Sequence, residues 1–90
     1  MAREDLKRLY QELLESRFRF MDRGEKHLNE IYENVKAIFP DLCDDSYLCR
    51  DNCSKGHDQP EWKHTVRKAL GRLKTLGDIS KGKPYYWIFR

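Results

Sequence analysis

The spacing of apolar residues changes from helical to alternating once, close to the C-terminal end, and this constrains the fold of the 90-residue chain more than any other feature. Trp62, Val66, Ala69, Leu70, Leu73 and Leu76 recur as on one stripe of a helix that spans residues 60–76. Asp58-x-x-Glu61 is a candidate capping box at its start, Pro60 suits a first helical turn, and Gly77 closes it. Beyond Asp78-Ile79-Ser80, the run Tyr85-Tyr86-Trp87-Ile88-Phe89-Arg90 is β-prone and alternates, with Tyr86 and Ile88 on one face and Tyr85, Trp87 and Phe89 on the other. Lys81-Gly82-Lys83-Pro84 supplies the turn, so the chain closes on a β-hairpin with both lysines at its tip.

Two further helices precede this unit. From Arg3 to about Met21, Leu6, Leu9, Tyr10, Leu13, Leu14, Phe18 and Met21 recur at spacings of three and four. Asp22-Arg23-Gly24 breaks the pattern, with Gly24 as its C-terminal cap. Leu28, Ile31, Tyr32, Val35, Ile38 and Phe39 define a second helix that Pro40 ends, with His27 exposed near its start. The charged residues of both helices fall on polar faces and carry no catalytic pattern. The reading is therefore an α+β chain, mainly helical, with three helices and a C-terminal hairpin.

Several classes are excluded. The apolar runs fall far short of the ~18 residues that a membrane span requires. Met1-Ala2-Arg3-Glu4-Asp5 is not followed by an apolar stretch, so no secretory signal is read and a cytoplasmic location is expected. Three cysteines in a reducing compartment argue against a disulfide framework. Cys43, Cys49, Cys53 and His57 form a C-x5-C-x3-C-x3-H series in the Asp- and Asn-rich stretch 41–60, where a short helix is expected near Ser46–Asn52. These four side chains are candidate ligands of a structural zinc ion, the one cofactor considered. Their spacing departs from the usual pairs separated by two to four residues and favours thiols buried as small hydrophobes, with oxidation chemistry as a third reading.

The charge is unevenly spread. Residues 1–40 carry 8 basic and 8 acidic side chains, residues 41–60 carry 2 and 5, and residues 61–90 carry 8 and 2. A basic C-terminal third is the expected pattern where one face meets a polyanion, the alternative being an ordinary solvated surface. The face of the third helix opposite its apolar stripe presents His64, Arg67, Lys68, Gly71 and Thr75, flanked by Lys63, Arg72 and Lys74. With Lys81 and Lys83 these are the candidate contacts to double-stranded DNA. Helix, helix, helix, strand, strand is the order of a winged helix-turn-helix, whose third helix would enter the major groove. Arg67 is the candidate for a bidentate guanine contact, with His64 and Lys68 beside it. Gly71 marks either a place where another backbone approaches or a tolerated surface glycine.

The segment from Leu42-Cys43-Asp44-Asp45 through Gln59-Pro60-Glu61-Trp62-Lys63-His64-Thr65-Val66-Arg67-Lys68-Ala69-Leu70, then Leu73-Lys74 and Tyr86-Trp87, resembles the winged-helix modules attached to prokaryotic restriction endonucleases of the HNH or PD-(D/E)XK type. The resemblance covers roughly residues 27–90 and implies DNA targeting for a fused or associated nuclease, in some members by reading N6-methyladenine. It divides the chain into a winged-helix domain, 25–90, and an N-terminal helix, 1–24, that covers the core or forms a homodimer interface through residues 3–21. Neither nuclease constellation is present, so the chain is not expected to be an enzyme. Trp62 is the aromatic nearest a methyl-reading position, but it falls on the core stripe. The competing reading is a winged-helix protein-interaction module; a metalloenzyme using the Cys/His series is disfavoured because four ligands would close the metal's coordination.

Overall fold

The computed structural model describes residues 3–47 and 60–90. Its elements are α1 (Arg3–Ser16), β1 (Gly24–His27), α2 (Leu28–Ile38), a 3-10 turn at Pro40–Leu42, α3 (Glu61–Thr75), β2 (Ile79–Lys81) and β3 (Tyr86–Phe89). The fold is α+β and mainly helical, with three α-helices among the described residues and an antiparallel sheet of order β1-β3-β2.

Helix α1 stops at Ser16, short of the expected Met21, and the reason lies in which side chains must be buried. At about 100° per residue, a continued helix would put Arg17 within about 40° of Leu13 and Phe18 about 140° away from it. It would thus turn a cation into the core and an aromatic ring out to water. Instead Arg17 and Phe18 adopt left-handed backbone angles, φ 53° and 58°, and Phe18 is fully buried while Arg17 is exposed. Left-handed backbone costs about 1–2 kcal/mol per residue. Burying Phe18 returns about 1.5–3 kcal/mol, and keeping Arg17 in water avoids a penalty of several more, so unwinding wins.

Gly24 does not cap α1; with φ 110° it opens β1, a strand that the sequence did not indicate. Gly-Glu-Lys-His has little β-propensity of its own, and it is extended because β3 has a free edge to pair with. The register is Gly24 with Phe89 through His27 with Tyr86, and on the other side of β3 Ile79 with Phe89 through Lys81 with Trp87. His27 then serves as the N-cap of α2, its Nδ1 accepting the Asn29 N–H at 3.0 Å, and it is half-buried rather than exposed.

Helix α3 follows its predicted stripe: Trp62, Thr65, Val66, Ala69, Leu70 and Leu73 are buried, whereas Leu76 is 55% exposed. Pro60 is its N-cap rather than its first helical residue, and it offers no side-chain hydrogen bond. The Glu61 N–H is satisfied instead by the Tyr47 carbonyl at 2.8 Å; Asp58, the expected cap, lies outside the described residues. At the other end Gly77 (φ 85°) donates to Lys74 O and Asp78 N–H to Leu73 O, both at 3.0 Å, which is the paired pattern of a Schellman stop.

The hairpin is present, but its turn is Lys83–Tyr86, two residues later than expected. The Tyr86 N–H donates to Lys83 O at 2.9 Å and Tyr85 has φ 70°, the marks of a type II turn led by Pro84. Lys81 therefore belongs to β2, and Lys83 is the lysine at the tip. Of the short helix expected near Ser46–Asn52, only Ser46 and Tyr47 are described, and they form a turn closed by the Tyr47 N–H and Asp44 O. One core joins the helices to β2 and β3: Leu9 and Leu13 from α1, Ile31 and Val35 from α2, the buried residues of α3, Ile79, Trp87 and Phe89.

Candidate nucleic-acid interface

The two flanks of α3 lean on different neighbours, which decides how its basic residues are presented. On the α2 side, the Lys63 ammonium lies 5.1 Å from the Tyr32 ring centre and 5.8 Å from that of Trp62. One turn on, Arg67 Nη1 donates to the Tyr32 hydroxyl at 3.0 Å. Burial raises the Tyr32 hydroxyl above its usual pKa, and the guanidinium beside it acts in the opposite direction. On the α1 side, Lys68 sits 5.1 Å from the Tyr10 ring, and His64 shares a shallow hollow with Leu6, Tyr10 and Thr65.

Trp62 belongs to the scaffold. It is 1% exposed, packs edge-on against Tyr32 at 5.7 Å, and donates its Nε1–H to Asp45 at 2.9 Å. Asp45 also pairs with Lys36 and, held first by that ammonium and then by the indole N–H, has its carboxyl below the usual range. The Trp62 ring thus has no open face for a methyl group. Between it and α2 lies an open hollow of about 420 Å³ walled by Tyr32, Lys63, Lys36, Glu33 and Asp45, mixed in charge.

The remaining α3 residues line the outward strip. Arg72, Lys74 and Thr75 are exposed, and the Thr75 hydroxyl donates to Gly71 O at 3.1 Å. A Cβ at Gly71 would meet nothing within 4 Å among the described residues.

The hairpin is tied to the start of α2. The Tyr85 carbonyl accepts the Leu28 N–H at 2.7 Å, capping the first turn of α2 and fixing the tip against it. Lys81 Nζ lies 4.7 Å from the ring centre of Trp87, its partner across the β2–β3 pair, and Lys83 Nζ 4.4 Å from that of Tyr86. Glu25 of β1 stands 4.0 Å from Lys83, a partial neutralisation that the sequence did not reveal. Lys63 and Arg67 are thus held against Tyr32 of α2 and the hairpin tip against Leu28 at the start of the same helix, while Lys81 and Lys83 rest on Trp87 and Tyr86, consecutive strand residues that face opposite sides of the sheet. Tyr10, Tyr32 and Tyr86, the supports of those cations, read in sequence only as apolar stripe or strand positions.

The expected zinc ligands are not brought together within the described residues. Cys43 is 4% exposed in the core and burial pushes its thiol up to about 12, while Cys49, Cys53 and His57 lie outside them. Among the described residues, no group of three or more His, Cys, Asp and Glu side chains is placed to hold a metal, and no helix is long and apolar enough to cross a membrane. No family model, curated protein or solved structure matches the chain.

Proposed function

We propose that the chain binds double-stranded DNA as a winged helix-turn-helix, with α3 as the reading helix and the β2–β3 hairpin as the wing, and that it targets a restriction endonuclease to a sequence or methylation state. The observation that carries this reading is that the basic helix α3 and the lysine-bearing hairpin are both fixed against α2, the first through Tyr32 and the second through the bond between Tyr85 and Leu28. The order α1-β1-α2-α3-β2-β3 with sheet order β1-β3-β2 supports it, because it sets a hairpin beside a basic helix. Residues 39–60 make the connection from α2 to α3 far longer than the three to four residues usual in a helix-turn-helix, so the spacing of the two helices rests on their packing through Tyr32, Trp62 and Arg67. Catalysis would then come from a fused or associated nuclease, this chain supplying recognition alone.

The test is fluorescence anisotropy against a panel of short duplexes, each with and without N6-methyladenine, at two salt concentrations. A preference for one duplex or one methylation state, with affinity falling as salt rises, is the expected result. Absence of duplex binding at low salt would overturn the proposal in favour of a protein-interaction module.

A further inference from the structure

A second basic region lies at the far end of the sheet from the hairpin tip. The connection from α1 to β1 reads Arg17-Phe18-Arg19-Phe20-Met21-Asp22-Arg23, and its side chains part by kind. Phe18 is fully buried, 5.6 Å from Phe89 and 5.7 Å from Phe20 between ring centres; Phe20 meets Phe39 edge-on at 5.9 Å, and Met21 is buried. Arg17, Arg19 and Arg23 are exposed. Backbone bonds from Arg17 N–H to Leu13 O, Arg19 N–H to Ser16 O and Met21 N–H to Phe18 O, at 2.9, 3.0 and 3.1 Å, fix the path. The loop is therefore anchored by its aromatic residues, and the backbone positions from which the arginines project are set before any ligand arrives.

What they surround is a hollow of about 460 Å³ lined by Arg17, Arg19, Arg23, Arg90 and Asp78. Arg17 Nη1 pairs with Asp78 at 3.2 Å and Arg90 Nη2 donates to the Ser80 hydroxyl at 2.6 Å. The side chains of Arg19 and Arg23 make no ion pair or hydrogen bond among the described residues. Because Gly24 pairs with Phe89 and His27 with Tyr86, Arg23 and Arg90 flank one end of the β1–β3 pair and the hairpin turn lies at the other. Every cation here is an arginine, whereas the hairpin carries lysines. A guanidinium offers a planar fork of donors that matches the edge of a tetrahedral oxyanion, which an ammonium does not. Four guanidinium groups line the hollow with one side-chain carboxylate, three of them on a loop whose backbone is already fixed, so an anion is bound without the further cost of ordering that loop.

We propose that this hollow is an oxyanion site that takes a phosphate or diphosphate group, either free or as part of a nucleic-acid backbone, and that it works apart from the α3–hairpin face. The experiment is a titration of the whole chain with inorganic pyrophosphate at constant ionic strength, followed by NMR of backbone amides and arginine Nε–H groups. Saturable shifts are expected at Arg17, Arg19, Arg23 and Arg90 and in the backbone of residues 17–23 and 78–80. The double variant R19A/R23A should bind at least tenfold more weakly while keeping a native spectrum, since both side chains are exposed. R19K/R23K should fail to restore binding, and K81A/K83A should leave it unchanged. A short duplex that displaces pyrophosphate from the arginines identifies the source as a nucleic-acid backbone; a duplex that leaves it in place identifies a free phosphate compound. Shifts that do not saturate, or full binding by R19K/R23K, would overturn the proposal, and neither result bears on duplex binding through α3.

Discussion

Arg67 has two possible uses, and the structure makes them separable. If it reads a guanine, truncation to alanine removes a bidentate base contact worth about 1–3 kcal/mol, roughly a 5- to 150-fold loss for a cognate duplex with relaxed specificity at one position. In the free chain the same guanidinium donates to Tyr32. Such a bond in a half-buried setting contributes about 0.5–1.5 kcal/mol net. Tyr32→Phe removes the hydroxyl alone, because the ring that packs on Trp62 and underlies Lys63 is kept. Urea unfolding of Arg67→Ala, Tyr32→Phe and the double variant should therefore show a coupling of about 1 kcal/mol. Anisotropy should show that Tyr32→Phe costs about half as much binding as Arg67→Ala, since the freed side chain keeps its charge and fork and loses only its ordering, about 0.5–1.5 kcal/mol. Coupling under about 0.3 kcal/mol would remove the hydrogen bond from the account. Equal losses of duplex affinity in the two single variants would show that Arg67 acts only by holding Tyr32, and the base-reading role would fall.

Other outcomes follow from particular contacts. Lys81→Ala and Lys83→Ala should weaken all duplexes alike and make the salt slope shallower by about one unit each, less for Lys83 because of Glu25, and Glu25→Gln should tighten all duplexes; a changed sequence preference would mean that the hairpin reads bases. Asp45→Ala strands the buried Trp62 N–H and should cost about 1–3 kcal/mol, whereas Asp45→Asn still accepts from it and should cost under about 1 kcal/mol. Since the Asp45 carboxyl titrates below its unfolded value near ~3.9, its contribution is complete above that pH and disappears as pH falls through the lower folded value, so acid unfolding curves of wild type and Asp45→Asn should converge toward low pH; a constant gap would refute this. Tyr85→Gly relieves a left-handed turn residue at the glycine position of a type II turn and should raise stability by up to about 1 kcal/mol, and a lower melting temperature would show that the ring's contacts outweigh the strain. In a Cys49→Ser/Cys53→Ser chain, Cys43 should resist alkylation at pH 8 until the protein is unfolded, and rapid labelling of the native state would contradict its burial.

How far the sequence could be read depended on whether a residue's environment was set by its own neighbours. Helix α3 was legible because its stripe, its glycine stop and its polar face all lie within one stretch, and the alternation of β3 was legible for the same reason. The end of α1 was not, because Phe18 and Met21 continue a spacing of three and four that is compatible with a helix. What turns the chain at Arg17 is Phe89, some seventy positions away, against which Phe18 packs. The alternation Arg17-Phe18-Arg19-Phe20 was the available sign, a period of two inside an apparent helix. Strand β1 gave still less, since none of its four residues favours extension and its partner lies at the other end of the chain.

The candidate interface divides along the same line. Periodicity turns Lys68 and Thr75 of α3 outward with Arg72 and Lys74 on the flanks, and all four are exposed, whereas His64 and Arg67, read on the same face, are half-buried beside α1 and Tyr32. Which cations are held, and by what, depends on residues that periodicity assigns to other elements. Lys68 rests on Tyr10 of α1, Lys63 and Arg67 on Tyr32 of α2, and Lys83 between Tyr86 and Glu25. Each cation–ring contact is worth about 0.5–1 kcal/mol at an exposed site, comparable to the rotamer freedom that a lysine gives up when it binds. The tyrosines therefore bias the basic side chains toward ordered positions in the free chain, which reduces the loss of freedom that a polyanion would otherwise impose. A chain with the same lysines and arginines but with Tyr10 and Tyr86 replaced by leucine would keep its net charge and its apolar burial, yet Lys68 and Lys83 would lose their supports, and its affinity for any phosphate backbone should fall accordingly.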